Sequence, residues 1–187
     1  MQTYLNLLKH IVNHGSVQRN RTGIDTIRIP TAMMSFDMAD GYPLVTTRKM
    51  FTKGILGELI GFIRGYDNAA DFRKLGCNLW NQNANENKQW LANPHRKGED
   101  DLGRIYGVQW RNWQAPDGQV IDQLANAVND VIHNPESRRI IVDAWNPADI
   151  NKCALPPCHT RFRLMTDSNS NNLTLIWTQR STFERLH

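Results

Sequence analysis

The chain has only three cysteines, Cys77, Cys153 and Cys158. An odd number at irregular spacing argues against a disulfide framework and points to a reducing compartment. No window approaches the ~18 consecutive apolar residues of a membrane span. The start, Met1-Gln2-Thr3-Tyr4, lacks a basic region followed by an apolar stretch, so the cytoplasm is the expected location. Basic residues never form a long run, and Arg48-Lys49 and Arg138-Arg139 are only local pairs. With 22 Lys and Arg against 18 Asp and Glu, the net charge is +4. That excess suits an anionic small ligand better than a long nucleic-acid track. Cys153, Cys158 and His159 have no second pair at zinc-ligand spacing, so no metal is expected. Repeats and linkers are also missing.

What is present is enough for a core. The 187 residues are 40% hydrophobic, which fits one domain over 1–187, and six Trp and six Phe argue against disorder. Tyr4, Leu7, Leu8, Ile11 and Val12 predict a helix over 3–14, ended by Gly15. Ile27 and Ile29, then Met34, Phe36 and Met38, alternate like strands broken at Pro30, and Leu44-Val45 reads as a short strand. Ile55, Leu56, Leu59, Ile60 and Ile63 predict a helix over 52–65, with a shorter one over 68–75. From Trp80 to Gly103 the sequence turns polar, with Asn at 81, 83, 85 and 87, and predicts a surface excursion with little regular structure.

Ile121, Leu124, Val128, Val131 and Ile132 place a helix over 119–133. Arg139 to Trp145 reads as a buried strand, and Pro147 to Asn151 as a turn or helical loop. Thr160 to Met165 and Leu173 to Thr178 form a predicted hairpin across an Asn- and Ser-rich turn. Helix, strands, helices, strands is an α+β order: a mixed sheet with helices packed on one face.

The chemistry concentrates at Cys158. Pro156 and Pro157 stiffen its approach by fixing two φ angles and removing two N–H donors. Most free cysteines are small buried hydrophobes. A thiol with a pKa of ~8.5 is mostly protonated at neutral pH, so nucleophilic attack needs a nearby cation. Arg180, in Gln179-Arg180-Ser181, can supply it from an adjacent strand. His159 is a poor base for Cys158, because neighbours on a strand point to opposite faces.

Arg21, Arg138, Arg139 and Arg180 lie beside Thr22, Ser137 and Ser181, a pairing of guanidinium and hydroxyl that suits a phosphate monoester. Read singly, each is an ordinary surface arginine. Arg138 and Arg139 cannot easily reach one ligand together from one chain. Glu58 lies within an apolar helix, either as a buried proton relay or as an edge facing solvent. Tyr106 is either a hydrogen-bond donor or a core tyrosine.

Taken together, Asn20 to Gly23, Pro43 to Thr47, Gly57-Glu58-Leu59, Gly103 to Trp110, Ser137 to Ile141, Ala144 to Pro147, Ala154 to His159 and Gln179 to Ser181 resemble the thymidylate synthase family, in order and at compatible spacing. The resemblance covers almost the whole chain. It implies reductive methylation of dUMP by 5,10-methylenetetrahydrofolate, with Cys158 attacking uracil C6. It implies that Arg21, Arg180 and Ser181 hold the 5′-phosphate, with Gln179 also facing the substrate. Arg138 and Arg139 would reach the partner's phosphate site in a homodimer. Glu58 would organise water and proton transfer, Tyr106 and His159 would line the site, and Trp80 and Lys49 would face the folate.

The sequence departs from the family pattern in places. Phe183 stands where the family has a folate-contacting aspartate, Phe51 replaces a histidine, and Asn83 replaces a tryptophan. The family text continues past His187, so the chain reads as C-terminally truncated or altered, with strands expected to lack neighbours. Two alternatives follow: a deoxypyrimidine-monophosphate hydroxymethylase, motivated by Asn83 and Phe51, or a catalytically inactive fragment.

Overall fold

The computed structural model describes residues 1–19, 23, 25–167 and 169–181. Its backbone contacts form two compact units, one over Met1–Phe51 and one beginning at Thr52. Arg21 and Phe183 lie outside the described residues.

The first unit opens with α1, Gln2–His14, whose last turn closes through Gly15 N–H donating to Ile11 O at 2.8 Å. It continues into an antiparallel pair, β1 (Ser16–Gln18) and β2 (Thr26–Arg28), with Val17 opposite Ile27. The alternation at Met34, Phe36 and Met38 does not give a strand. Asp37 takes the Ala39 N–H on its carboxylate at 2.9 Å and starts a 3-10 turn over Met38–Asp40 instead. A short aspartate side chain offers the backbone this local alternative to a ladder. Leu44-Val45 is likewise not a strand, because Leu44 N–H folds back onto Tyr42 O at 2.7 Å.

The second unit begins with α2, Thr52–Ile63, followed by α3, Ala69–Lys74. The buried side of α2 is its glycine side, Gly54, Gly57 and Gly61, with Phe62. A Cβ on Gly61 would lie 2.3 Å from the Phe72 ring, so only glycine lets α2 and α3 approach so closely. The long apolar residues of the same helix are left outward, with Leu56 57% and Leu59 44% exposed.

The stretch from Trp80 to Gly103 is a correction to the sequence expectation. It holds α4 (Asn81–Asn85) and α5 (Lys88–Leu91), and it buries Ala84, Trp90 and Leu102. The asparagines provide the reason. Asn87 Nδ2 donates to Ala154 O at 2.9 Å, and Asn93 Nδ2 to Asn151 O at 2.8 Å. Arg73 grips Asp100 through two bonds of 2.6 and 2.7 Å, and Asn85 adds a third at 2.7 Å. Polar side chains here staple the segment to the core, where the sequence reading took them as solvent-facing.

Next come α6 (Tyr106–Arg111), the short antiparallel pair β3 (Trp113–Gln114) and β4 (Val120–Ile121), and α7 (Gln123–His133). The last helix starts later than its apolar periodicity predicts. Asp122 caps it by accepting the Ala125 N–H at 2.9 Å, which leaves Ile121 in a strand. The sheet that follows runs β5 (Ile141–Asp143), β6 (His159–Asp167) and β7 (Asn172–Gln179), each pairing antiparallel. The predicted strand over 139–145 is thus confined to three residues, although Ile140 is buried.

The α+β class holds. One sheet face, with Val142 and Phe162, packs on Trp110, which meets Phe162 edge-on at 5.3 Å. Phe62 sits at the middle of an aromatic cluster, 5.7 Å from Phe72, 5.9 Å from Trp80 and 5.7 Å from Trp110, each near perpendicular. No described helix is long and apolar enough to cross a membrane.

Candidate active site

Two segments distant in sequence meet at Cys158. Gly103, at φ 67°, pairs with Cys153 in an isolated bridge, and a Cβ there would strike Lys152 O at 2.1 Å. Arg104 N–H donates to Lys152 O at 2.9 Å, and Ala154 N–H to Leu102 O at 2.9 Å. This short ladder leads the chain from Cys153 toward Cys158 alongside the start of α6. The first residue of α6, Tyr106, closes the connection by accepting the Cys158 N–H on its hydroxyl oxygen at 2.7 Å.

Beneath the ladder lies a buried ionic hub that sequence reasoning missed. The Asp149 carboxylate accepts from Arg104 Nε at 2.5 Å, Lys152 Nζ at 2.8 Å and Gln109 Nε2 at 2.9 Å. Burial alone would raise this carboxyl, but the bonds from Gln109, Lys152 and Arg104 outweigh it and hold the pKa down to about 2. Its signal in the sequence was slight: an aspartate two residues past Pro147, in a segment read as a turn.

The three thiols differ sharply. Cys77 and Cys153 are buried, and Cys158 is partly exposed. Burial, with the Asp149 charge beside it, pushes the Cys153 thiol up to about 12. Burial also raises Cys77. Among these, Cys158 is the one placed for reaction with a solute.

Around it stand several of the residues singled out from the sequence. Arg180 Nη2 lies 3.8 Å from Cys158 Sγ, while Nε donates to Pro157 O at 2.8 Å and Nη2 to Pro156 O at 3.2 Å. The paired prolines therefore do more than stiffen the loop, because their carbonyls hold the cation. Tyr106 is raised above the ordinary tyrosine range by burial, opposed by the Cys158 N–H. It stays protonated, with its own hydrogen available to donate. The His159 ring lies between Tyr106 at 5.3 Å and Trp177 at 5.1 Å, with Nδ1 buried and unpartnered. Burial lowers its pKa below the usual value, so the ring is neutral at neutral pH.

Glu58 is partly buried on α2, and its carboxyl is raised by burial, opposed by the neighbouring Trp80 indole. Trp80 is buried, with its ring 5.9 Å from that of Tyr106 and its indole beside the Glu58 carboxyl.

Gln179 and Ser181 are exposed beside Arg180, with Gln179 Nε2 donating to Ser181 O at 2.8 Å. Arg138 and Arg139 are exposed on the segment before β5. Lys49 belongs to the first unit. Among the described residues, no group of three or more His, Cys, Asp or Glu side chains is placed to hold a metal ion.

A partly exposed thiol, with the Cys158 N–H on a neutral tyrosine and a guanidinium beside it, suits a nucleophile acting next to an anionic group. Comparison with known proteins is specific. Residues 2–183 match the family model described as thymidylate synthase. The chain is 44% identical to the thymidylate synthase of Pseudomonas syringae pv. tomato, over 94% of this chain and 65% of that protein. It is 41% identical to that of Pseudomonas putida, over the same shares. To that of Shewanella halifaxensis it is 48% identical, over 90% of this chain and 61% of the relative. The chain belongs to the thymidylate synthase family. It spans about 65% of the length of the first two of these relatives.

Proposed function

We propose that the protein is a thymidylate synthase, a methyltransferase converting dUMP to dTMP with 5,10-methylenetetrahydrofolate. The observation that carries this reading is the Cys158 cluster: a partly exposed thiol, its N–H on Tyr106, with Arg180 Nη2 at 3.8 Å. In this reading Cys158 Sγ bonds to uracil C6. The C5–C6 π electrons move toward the C4 carbonyl, and C5 becomes nucleophilic. The folate co-substrate supplies the one-carbon unit and the hydride that completes the methyl group. Loss of the C5 proton and release of Cys158 return the ring to aromatic-like conjugation.

The remaining roles are those that membership of the family implies. Arg180, Ser181 and Arg21 hold the 5′-phosphate, and Gln179 faces the substrate. Arg138 and Arg139, exposed and consecutive, serve the phosphate site of a partner in a homodimer. Glu58, with its raised pKa, relays protons through water. Tyr106 and neutral His159 line the uracil side. Trp80 and Lys49 face the folate, where Trp80 shields the reacting carbon from water. No metal is required, and the protein works in the cytoplasm.

Product chromatography after incubation with dUMP and methylenetetrahydrofolate tests the reaction. The expected products are dTMP and dihydrofolate in equal amounts. A 5-hydroxymethyl nucleotide formed without dihydrofolate would contradict the assignment.

A further inference from the structure

β6 carries an irregularity between His159 and Arg161, so Thr160 is the extra residue in its pairing with β7. The Thr160 carbonyl accepts two backbone N–H groups, from Ala144 at 2.9 Å and Trp145 at 3.2 Å. On the other side of the same turn, Arg180 N–H donates to Cys158 O at 3.0 Å. The bulge thus anchors both Trp145 and Arg180 to the backbone around Cys158, at Thr160 and at Cys158 itself. There the Arg180 guanidinium carbon lies 5.5 Å from the centre of the Trp145 ring.

An arginine side chain has many rotamers and loses entropy when held in one. Among the described residues, the ion pairs leave Arg180 without a carboxylate partner. What restrains it is the two proline carbonyls and the indole face. A cation over tryptophan is the strongest of the aromatic pairings and leaves the guanidinium edge free for other bonds.

We propose that Trp145 is a positioning residue: its ring face holds the Arg180 guanidinium beside the Cys158 thiol before any anionic ligand arrives. This rests on the assignment of Cys158 as nucleophile and deepens it. Trp145 acts through the arginine, and in the sequence it stands only as one residue of the Ala144 to Pro147 segment.

The test is the rate at which iodoacetamide alkylates Cys158 at neutral pH, with adducts located by peptide mass spectrometry. Cys77 and Cys153 are buried, so the signal from Cys158 is separable. Trp145→Leu is expected to slow alkylation about two- to five-fold, the range of an exposed cation–π contact. Trp145→Phe keeps an aromatic face and restores most of the rate. Arg180→Gln slows alkylation at least as much, and adding Trp145→Leu to it changes nothing further.

Trp145 is 37% exposed, and a thermal unfolding midpoint shared with the parent confirms that each variant is folded. If Arg180→Gln slows the reaction and Trp145→Leu does not, the role of Trp145 is overturned while that of Arg180 stands. If Trp145→Phe is as slow as Trp145→Leu, the ring-face account is overturned. If neither Arg180→Gln nor Trp145→Leu slows alkylation, the cation's role beside the thiol in the proposed mechanism fails as well.

Discussion

The stretch from Trp80 to Gly103 and the strand β7 invert each other. The first is polar in sequence yet buries Trp80, Ala84, Trp90 and Leu102. The second, Asn172–Gln179, carries Leu173, Leu175, Ile176 and Trp177, yet every residue along it is exposed. Hydropathy alone therefore misplaces both. Burial follows the availability of a partner: asparagine amides and Arg73 find backbone and carboxylate groups across the unit. β7, an edge of its three-stranded sheet among the described residues, has a neighbour on one side only.

The largest expected effect falls in the polar stretch. Trp90 is 2% exposed, and its Nε1 donates to Asp101 O at 2.7 Å. Trp90→Ala leaves a cavity and an unpaired carbonyl, and is expected to cost ~3–5 kcal/mol. Urea unfolding measures it, and a loss within ~0.5 kcal/mol would show that this segment is as loose as its sequence suggests.

A middle-sized effect comes from the acid limb of stability. Asp149 has a folded pKa of about 2, depressed from an ordinary carboxylate value. A depressed carboxyl contributes stability that is present above the unfolded pKa and lost as pH falls through the folded one. The window is therefore from about pH 4 down to about pH 2, with a contribution of roughly 1–2 kcal/mol. Chemical denaturation at stepped pH should show this slope in the parent protein and a shallower one in Asp149→Asn. Equal slopes would remove the hub from the account.

The smallest effect is expected on β7. Leu175 is 55% exposed, so Leu175→Thr, which keeps strand propensity, is expected to change stability by less than ~0.5 kcal/mol. A loss near that of Trp90→Ala would mean that Leu175 is buried in solution, and would erase the contrast between the two regions.

Much of the scaffold was legible. The helices α1, α2 and α7 and the β6–β7 hairpin follow local periodicity and end at signals such as Gly15 and Asn134, which need no distant partner. Tyr106 and Cys158 could each be picked out singly, but their bond spans 52 positions and no local pattern announces it. The Asp149 hub was illegible for the same reason, since Arg104 and Gln109 reach it from 45 and 40 positions away. The glycine side of α2 shows a different failure. Periodicity located the helix but pointed to Leu56 and Leu59 as its apolar stripe, whereas close packing against Phe72 selected the small residues.

The nucleophile is the point on which the functional account turns. The direct measurement is intact-mass analysis after incubation with 5-fluoro-dUMP and methylenetetrahydrofolate, in the parent protein and in Cys158→Ser. The account predicts a covalent complex in the parent, mapped to Cys158, and none in the variant. A complex that persists in Cys158→Ser, or that maps to Cys77 or Cys153, would contradict it.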